Sequence, residues 1–172
     1  FGICGGMQML GKTLSDPLFL ESDQFKSNES IQLGLNLLPL STVFQNKKKL
    51  VRRRVLTLWP STIEITGFEL HRGKTMLLDT KLESLQSIYQ QSDLGWVLID
   101  RKNDSVIGGT YLHGIFDNSK WRRSWLNHLR KKKKLPPLDI NQPNHSYKID
   151  NLMNILADSF EKYVDITPLI DS

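Results

Sequence analysis

The 172 residues predict a single α/β domain. Apolar runs of β-compatible residues fill the middle of the chain, and two segments whose apolar residues recur at helical spacing close it. A glycine-rich corner near the amino end joins a short apolar run to a further helix-compatible segment. The chain contains no repeats and no low-complexity linker other than residues 141–144, so we expect one core.

Each element is predicted by apolar spacing and by the residues that interrupt it. We expect a helix over residues 5–13, a polar loop over 15–30 and strands over 33–44, 50–59, 63–71, 95–100 and 106–112. Pro39 restricts the first of these strands to an edge or interrupts it. The polar residues 101–105 are predicted to form the turn of a hairpin.

Two helices follow, with Asp117 or Asn118 capping the first and Ser146 capping the second. The segment Leu135-Pro136-Pro137 ends the first helix, because proline has no N–H with which to continue it. Each helix carries an apolar stripe that we expect to face the core. The stripes consist of Trp121, Trp125, Leu126 and Leu129 in the first helix, and of Ile149, Leu152, Met153, Leu156, Phe160 and Tyr163 in the second.

The net charge of +5 comes largely from two basic runs, Lys47–Lys49 with Arg52–Arg54, and Arg130–Lys134. Such runs at a strand edge or a helix carboxyl end are typically solvated, and no nucleic-acid motif or zinc-site spacing accompanies them. We therefore expect neither nucleic acid nor a metal as a partner. One cysteine allows no intrachain disulfide, and no apolar run reaches the roughly 20 residues that span a bilayer. With no secretory leader at the start, a cytoplasmic protein without a membrane partner is predicted.

The single cysteine, Cys4, lies in FGICGGMQML between glycines at positions 2, 5 and 6. Glycine permits tight turns and close backbone approach, so this spacing predicts a sharp strand-to-helix corner that exposes the thiol. The first N–H groups of the helix would point at the sulfur, and their dipoles favour the thiolate. The alternative is a buried structural cysteine in a non-enzymatic interaction domain whose basic runs bind an acidic partner.

Of the four histidines, His113 is the best candidate for a base that activates Cys4. It follows the β-like run at 108–112, so it lies where a strand ends, and ligands of open α/β sheets bind at such ends. A nucleophile and its base can thus meet in space although they are far apart in sequence. Glu69 and His71 project from the same face of a predicted strand, which makes them a second candidate pair.

Three segments resemble class I glutamine amidotransferases, and among them the cobyric acid synthase branch. GICGGMQMLG at 2–11 is similar to the nucleophile segment, in which glutamine follows the cysteine by four residues, as Gln8 follows Cys4. GFELHRGKT at 67–75 resembles that branch's Gly-aromatic-Glu-Ile-His-x-Gly-x-Thr element, and GTYLHGIFDN at 109–118 resembles its histidine segment, which continues to Asn127. The three segments agree in order and cover about three quarters of the chain.

The resemblance implies a flavodoxin-like fold with a mixed, mostly parallel sheet flanked by helices. It implies that the Cys4 thiolate attacks the carboxamide of glutamine and that His113 activates the thiol. It also implies that the Gly5 N–H stabilises the oxyanion and that Gln8 shapes the glutamine pocket.

Ammonia would then pass to an N-terminal synthetase domain that binds ATP and Mg²⁺. In the family, that domain amidates the b, d, e and g carboxylates of adenosyl-cobyrinic acid a,c-diamide, a corrinoid, in cobalamin biosynthesis. No P-loop spacing occurs in the present chain, so we expect no cofactor in it. Residue 1 is Phe and only three residues precede Cys4, from which we infer that residues 1–172 are the carboxyl-terminal part of such a domain. We expect this part alone to be inactive.

One position departs from the wider class. Most class I enzymes carry a glutamate two residues after the histidine, but position 115 is Ile, as the cobyric acid synthase branch leads us to expect. A Cys4–His113 dyad is therefore predicted, with Glu69 as a weak stand-in for the third member. The related alternatives are the glutaminase subunit of lipid II isoglutaminyl synthase and cobyrinic acid a,c-diamide synthase.

Overall fold

In the computed structural model the described residues are 1–21, 30–79, 82–91, 93–100, 102 and 105–164. Their elements are β1 Gly2–Ile3, α1 Gly5–Leu10, β2 Thr13–Ser15, β3 Ile31–Leu33, β4 Leu40–Leu56, β5 Glu64–Leu77, β6 Leu85–Ser87, β7 Gly95–Asp100, β8 Ser105–Thr110, β9 Leu112–His113, a 3₁₀ turn Ile115–Asp117, α2 Ser119–Lys132 and α3 His145–Tyr163. None of the helices among these residues is long and apolar enough to cross a membrane.

The described strands form two mixed sheets, with the orders β1-β8-β7-β6 and β3-β2-β4-β5-β9. The pairs β1·β8 and β2·β4 are parallel, and the other five neighbouring pairs are antiparallel. The predicted hairpin is the pair β7·β8. The α/β class is confirmed, but antiparallel pairs outnumber parallel ones in this part of the chain, against the expectation of a mostly parallel sheet. The reason is that only seven residues separate β4 from β5 and four separate β7 from β8, whereas parallel pairs need long crossovers. Residues 101, 103 and 104 of the predicted hairpin turn and residues 22–29 of the predicted loop lie outside the described residues.

The longest element is an antiparallel ribbon of β4 and β5. It runs from the pair Leu40–Leu77 to the pair Leu56–Glu64, with a register shift between Phe44 and Lys49. The strands predicted over 33–44 and 50–59 are therefore largely one strand that begins after Pro39. Because β2 pairs only with residues 41–43, the first basic run lies on a stretch of β4 that has β5 as its only described neighbour.

The two sheets meet where β8 ends and β9 begins, since Tyr111 alone separates these strands. On one side of this junction β1 pairs with β8, with Ile3 opposite Thr110. On the other side β9 pairs with β5, with His113 opposite Phe68. The junction therefore brings the carboxyl end of β1 close to the middle of β5.

Helices α1 and α2 cover the core. Met7 of α1 is fully buried against β8, where a Cβ on Gly109 would lie only 2.4 Å from the Met7 Cγ. The helix ends at Leu10 rather than at residue 13, because the following residues join the second sheet as β2. In α2, Trp121 is fully buried and packs with Phe1 and Phe116, and Trp125 packs against the core, so the tryptophans of this stripe face the core as predicted. Leu126 and Leu129 are partly buried and lie outside the core cluster.

The stripe of α3 is not part of the core. The helix forms, but each of its six apolar side chains is between 43% and 79% exposed. The predicted caps also differ, because neither helix has a side-chain cap. Asn118 is the residue before α2, yet its side chain bonds the backbone of β5, and Ser146 lies inside α3.

Candidate active site

Cys4 lies at a sharp corner between β1 and α1. Its φ of 52° and ψ of −113° are strained values for a residue other than glycine. Its N–H donates to the Thr110 carbonyl at 2.7 Å, which ties the corner to the end of β8. A Cβ on Gly2 would lie 2.5 Å from the carbonyl carbon of Gly6, so the strand and the helix can approach this closely only because residue 2 is glycine. The structure thus contains the corner that the glycine spacing predicts.

The Cys4 thiol is half-buried and donates to the Leu70 carbonyl of β5, with a distance of 3.4 Å from Sγ to oxygen. Burial raises the pKa of the thiol; the Gly5 N–H lowers it, and the charge of Glu21 raises it further. The expected stabilisation of the thiolate by the start of the helix is therefore outweighed by desolvation. The resting thiol is neutral and needs a base.

His113 belongs to β9 and lies beside the same stretch of β5. Its ring stacks on Phe68, its register partner, with 4.9 Å between ring centroids and 9° between planes. Cys4 bonds Leu70, which is two residues along β5 from Phe68. The Nε2 of His113 is buried and has no hydrogen-bond partner among the described residues. A buried imidazole nitrogen without a partner is costly, so this atom is available to a thiol or a substrate.

The loop after His113 is fixed by Asn118. The Asn118 Nδ2 donates to the Thr66 carbonyl at 2.8 Å and to the Gly114 carbonyl at 3.0 Å, and its Oδ1 accepts from the Thr66 N–H at 3.1 Å. Gly114 has a φ of 77°, which lets the chain turn directly after the histidine. Ile115 is fully buried, so the position where most class I enzymes carry a glutamate is apolar core here.

Glu69 forms a cluster of ion pairs beneath the site. Its carboxylate is 1% exposed and accepts from the Lys49 Nζ at 2.7 Å, from the Arg53 Nε and from the His71 Nε2 at 3.1 Å. Burial raises the pKa of this carboxyl, but the bonds from Lys49, His71 and Arg53 outweigh it and hold the pKa below its ordinary value. The carboxylate oxygens of Glu69 thus accept hydrogen bonds from His71, Lys49 and Arg53, and not from His113.

Gln8 and Tyr111 connect the nucleophile segment to the histidine segment. Gln8 is 5% exposed, and its Nε2 donates to the Tyr111 hydroxyl at 3.0 Å. The Tyr111 hydroxyl also bonds the Thr75 Oγ1 at 2.5 Å. Tyr111, Thr75, Glu69 and His71 all line a cavity of about 200 Å³. Sequence reasoning missed Tyr111, whose only signal was its position inside the histidine segment.

The described residues contain no group of three His, Cys, Asp or Glu side chains that could hold a metal ion. Gly5, the predicted oxyanion donor, is exposed beside Cys4, and no atom lies within 4 Å of the position that its Cβ would take. A substrate can therefore approach this side of the thiol.

A cysteine at a strained strand-to-helix corner, facing a strand whose neighbour carries a histidine, is the arrangement of a class I glutamine amidotransferase domain. Residues 1–121 match the CobB/CobQ-like glutamine amidotransferase domain family. The chain belongs to this family, whose domain has a flavodoxin-like fold.

Several curated proteins are similar to the chain. Cobyric acid synthase of Prochlorococcus marinus (strain MIT 9313) is 48% identical over 172 residues, and cobyric acid synthase of Synechococcus sp. (strain CC9311) is 46% identical over 175 residues. These matches include 99% and 100% of this chain, but 34% of each relative. The chain thus spans about a third of the length of the curated relatives it matches.

Proposed function

We propose that this chain is the glutaminase portion of a cobyric acid synthase and supplies ammonia for amide formation. The observation that carries the proposal is the approach of Cys4 and His113 to one stretch of β5, with the Nε2 of His113 buried and without a partner among the described residues. Relatives named cobyric acid synthase support the choice among glutamine-dependent amidotransferases.

The proposed chemistry uses Cys4, His113 and Gly5. His113 takes the thiol proton as the sulfur of Cys4 attacks the carboxamide carbon of glutamine, and the oxyanion that forms accepts a hydrogen bond from the Gly5 N–H. The carbon–nitrogen bond then breaks, and the imidazolium gives its proton to the departing ammonia. Water hydrolyses the thioester to glutamate and restores the thiol. Gln8 forms part of the wall against which the substrate lies.

Ammonia is consumed elsewhere in the proposed enzyme. An ATP- and Mg²⁺-dependent synthetase domain would activate the b, d, e and g carboxylates of adenosyl-cobyrinic acid a,c-diamide as acyl phosphates, and ammonia would displace the phosphate. ATP, Mg²⁺ and the corrinoid are assigned to that domain and to none of the residues described here. We propose that the present chain without it does not sustain this activity.

The test uses the complete polypeptide. Cys4→Ala and His113→Ala should each lower glutamine-dependent amidation of the corrinoid by at least about a hundredfold and leave ammonia-dependent amidation within about twofold. His145→Ala is the matched control, because this histidine is exposed at the start of α3. Loss of both activities in Cys4→Ala would assign the residue to folding or to the synthetase step. Amidation of lipid II instead of the corrinoid would favour the related isoglutaminyl synthase.

A further inference from the structure

We infer that Tyr111 is a positioning residue for glutamine binding: its phenol holds the carboxamide of Gln8, which lies four residues after Cys4, against β5. This inference rests on the proposed glutaminase function and assigns to that site a residue that the chemistry above does not use. Tyr111 is 2% exposed and lies at the junction of the two sheets, directly after Thr110, whose carbonyl anchors the Cys4 N–H.

A chain of hydrogen bonds passes through the phenol. Burial raises the pKa of Tyr111, so the hydroxyl keeps its proton at neutral pH. The hydroxyl accepts from the Gln8 Nε2 at 3.0 Å and shares a hydrogen bond with the Thr75 Oγ1 at 2.5 Å, in which either oxygen can donate. Thr75 in turn bonds the Thr42 Oγ1 at 2.6 Å, on a residue of β4 that is fully buried. The Gln8 amide is thereby anchored to the rigid β4·β5 ribbon.

The ring of Tyr111 is fixed as firmly as its hydroxyl. It stacks on His71 with 3.6 Å between centroids and 15° between planes. His71 is held from both nitrogens, by Glu69 Oε2 at 3.1 Å and by the Gly73 carbonyl at 2.8 Å. Tyr111 therefore joins Gln8 of the nucleophile segment to His71, which lines the cavity with it.

Gly73 of β5 has no side chain, and this leaves room for the Gln8 amide and the Tyr111 phenol. A Cβ on Gly73 would lie 2.4 Å from the Gln8 Nε2 and 3.0 Å from the Tyr111 hydroxyl oxygen. The Gln8 amide and the phenol thus occupy the space that any side chain at position 73 would need. If the phenol hydroxyl is removed, the Gln8 Nε2 loses its acceptor and the amide is free to rotate, so that Gln8 no longer presents a fixed surface to glutamine in the proposed site.

The decisive variant is Tyr111→Phe in the complete polypeptide, because it removes the hydroxyl and keeps the ring on His71. We expect KM for glutamine to rise about tenfold, with kcat at saturating glutamine and ammonia-dependent amidation both within about twofold of wild type. Tyr89→Phe is the matched control. Tyr89 is also fully buried and bonds the Thr110 Oγ1 at 2.7 Å, but it does not line the cavity. Tyr89→Phe should leave KM for glutamine unchanged.

A double variant separates positioning from general loss of structure. If Tyr111 acts through Gln8, then Tyr111→Phe added to Gln8→Ala should change KM by less than about twofold. Three results would each overturn the inference. The first is an unchanged KM for glutamine in Tyr111→Phe, and the second is a fall in ammonia-dependent amidation equal to the fall with glutamine. The third is full additivity of Tyr111→Phe with Gln8→Ala. If the wild-type polypeptide hydrolyses no glutamine, or if Cys4→Ala keeps the activity, the proposed function itself fails.

Discussion

The thiol of Cys4 is subject to two opposing influences, and desolvation is the larger one. The N–H of Gly5 favours the thiolate, but α1 has only six residues and the sulfur is half-buried against β5. Reactivity at neutral pH therefore depends on proton removal by a neighbouring group and not on the helix alone. His113 of β9, whose buried Nε2 has no hydrogen-bond partner among the described residues, lies beside the same stretch of β5.

We expect iodoacetamide to alkylate Cys4 at a rate that keeps rising with pH beyond 9.0, the ordinary value for the thiol, because burial keeps the thiol protonated below its raised pKa. Mass spectrometry can follow the reaction at a single site, since the chain has no other cysteine. Denaturant is the control, and unfolding should move the rise to lower pH. A rate that is already maximal at pH of about 7 would mean that the thiol is ionised at rest.

Individual residues differ in how well the sequence could predict them. The corner at Cys4 was predictable because the glycine requirement is local, and the strand end at His113 was predictable from one apolar run. The role of Tyr111 was not predictable, since its partners Gln8, Thr75 and His71 come from distant segments. Asn118 was interpreted as a helix cap, because its contact with β5 exists only after folding.

The element on which the site depends most is the turn from β1 into α1. Gly2 and Gly6 of this turn have different surroundings. A Cβ on Gly2 would lie 2.5 Å from the Gly6 carbonyl carbon and 2.6 Å from the Met7 nitrogen, and backbone atoms cannot move aside. A Cβ on Gly6 would have no atom within 4 Å.

Gly2→Ala should therefore lower the free energy of unfolding by about 2–3 kcal/mol, the cost of forcing atoms into a filled space. Gly6→Ala should leave it unchanged or raise it by up to about 1 kcal/mol, because alanine has a higher helix propensity. Urea unfolding of the two variants, followed by circular dichroism, measures both changes. Equal losses in the two variants would contradict the packing described for the corner.

Over the whole molecule, two helices with the same kind of apolar stripe have opposite surroundings. Trp121 of α2 is fully buried, and its indole Nε1 donates to the Trp59 carbonyl at 3.2 Å. Leu156 of α3 is 54% exposed. Apolar spacing predicted both helices correctly, but it could not indicate which stripe has something to pack against, because that depends on where the preceding segment 133–144 leads the chain.

Replacement of these two side chains should have unequal effects on the chain. Trp121→Ala should cost about 3–5 kcal/mol of unfolding free energy, because it leaves a large cavity and an unpaired Trp59 carbonyl. Leu156→Ala should change the free energy by less than about 0.5 kcal/mol, as for other exposed positions. Guanidinium unfolding with tryptophan fluorescence compares the Leu156 variant with wild type, and circular dichroism serves for the Trp121 variant. A cost above about 2 kcal/mol for Leu156→Ala would mean that α3 packs against the domain.

The ribbon of β4 and β5 has a consequence for how copies of the molecule behave toward one another. Beyond Val43, the outer edge of β4 has no described partner, and Lys47, Lys48 and Arg52 are exposed along it. A bare backbone edge of this length is a template on which a strand of a second molecule could add. Like charges on two approaching edges oppose this addition, and salt at about 0.1 M screens them beyond roughly 10 Å. We therefore expect higher ionic strength to weaken the repulsion between the exposed cations of two such edges.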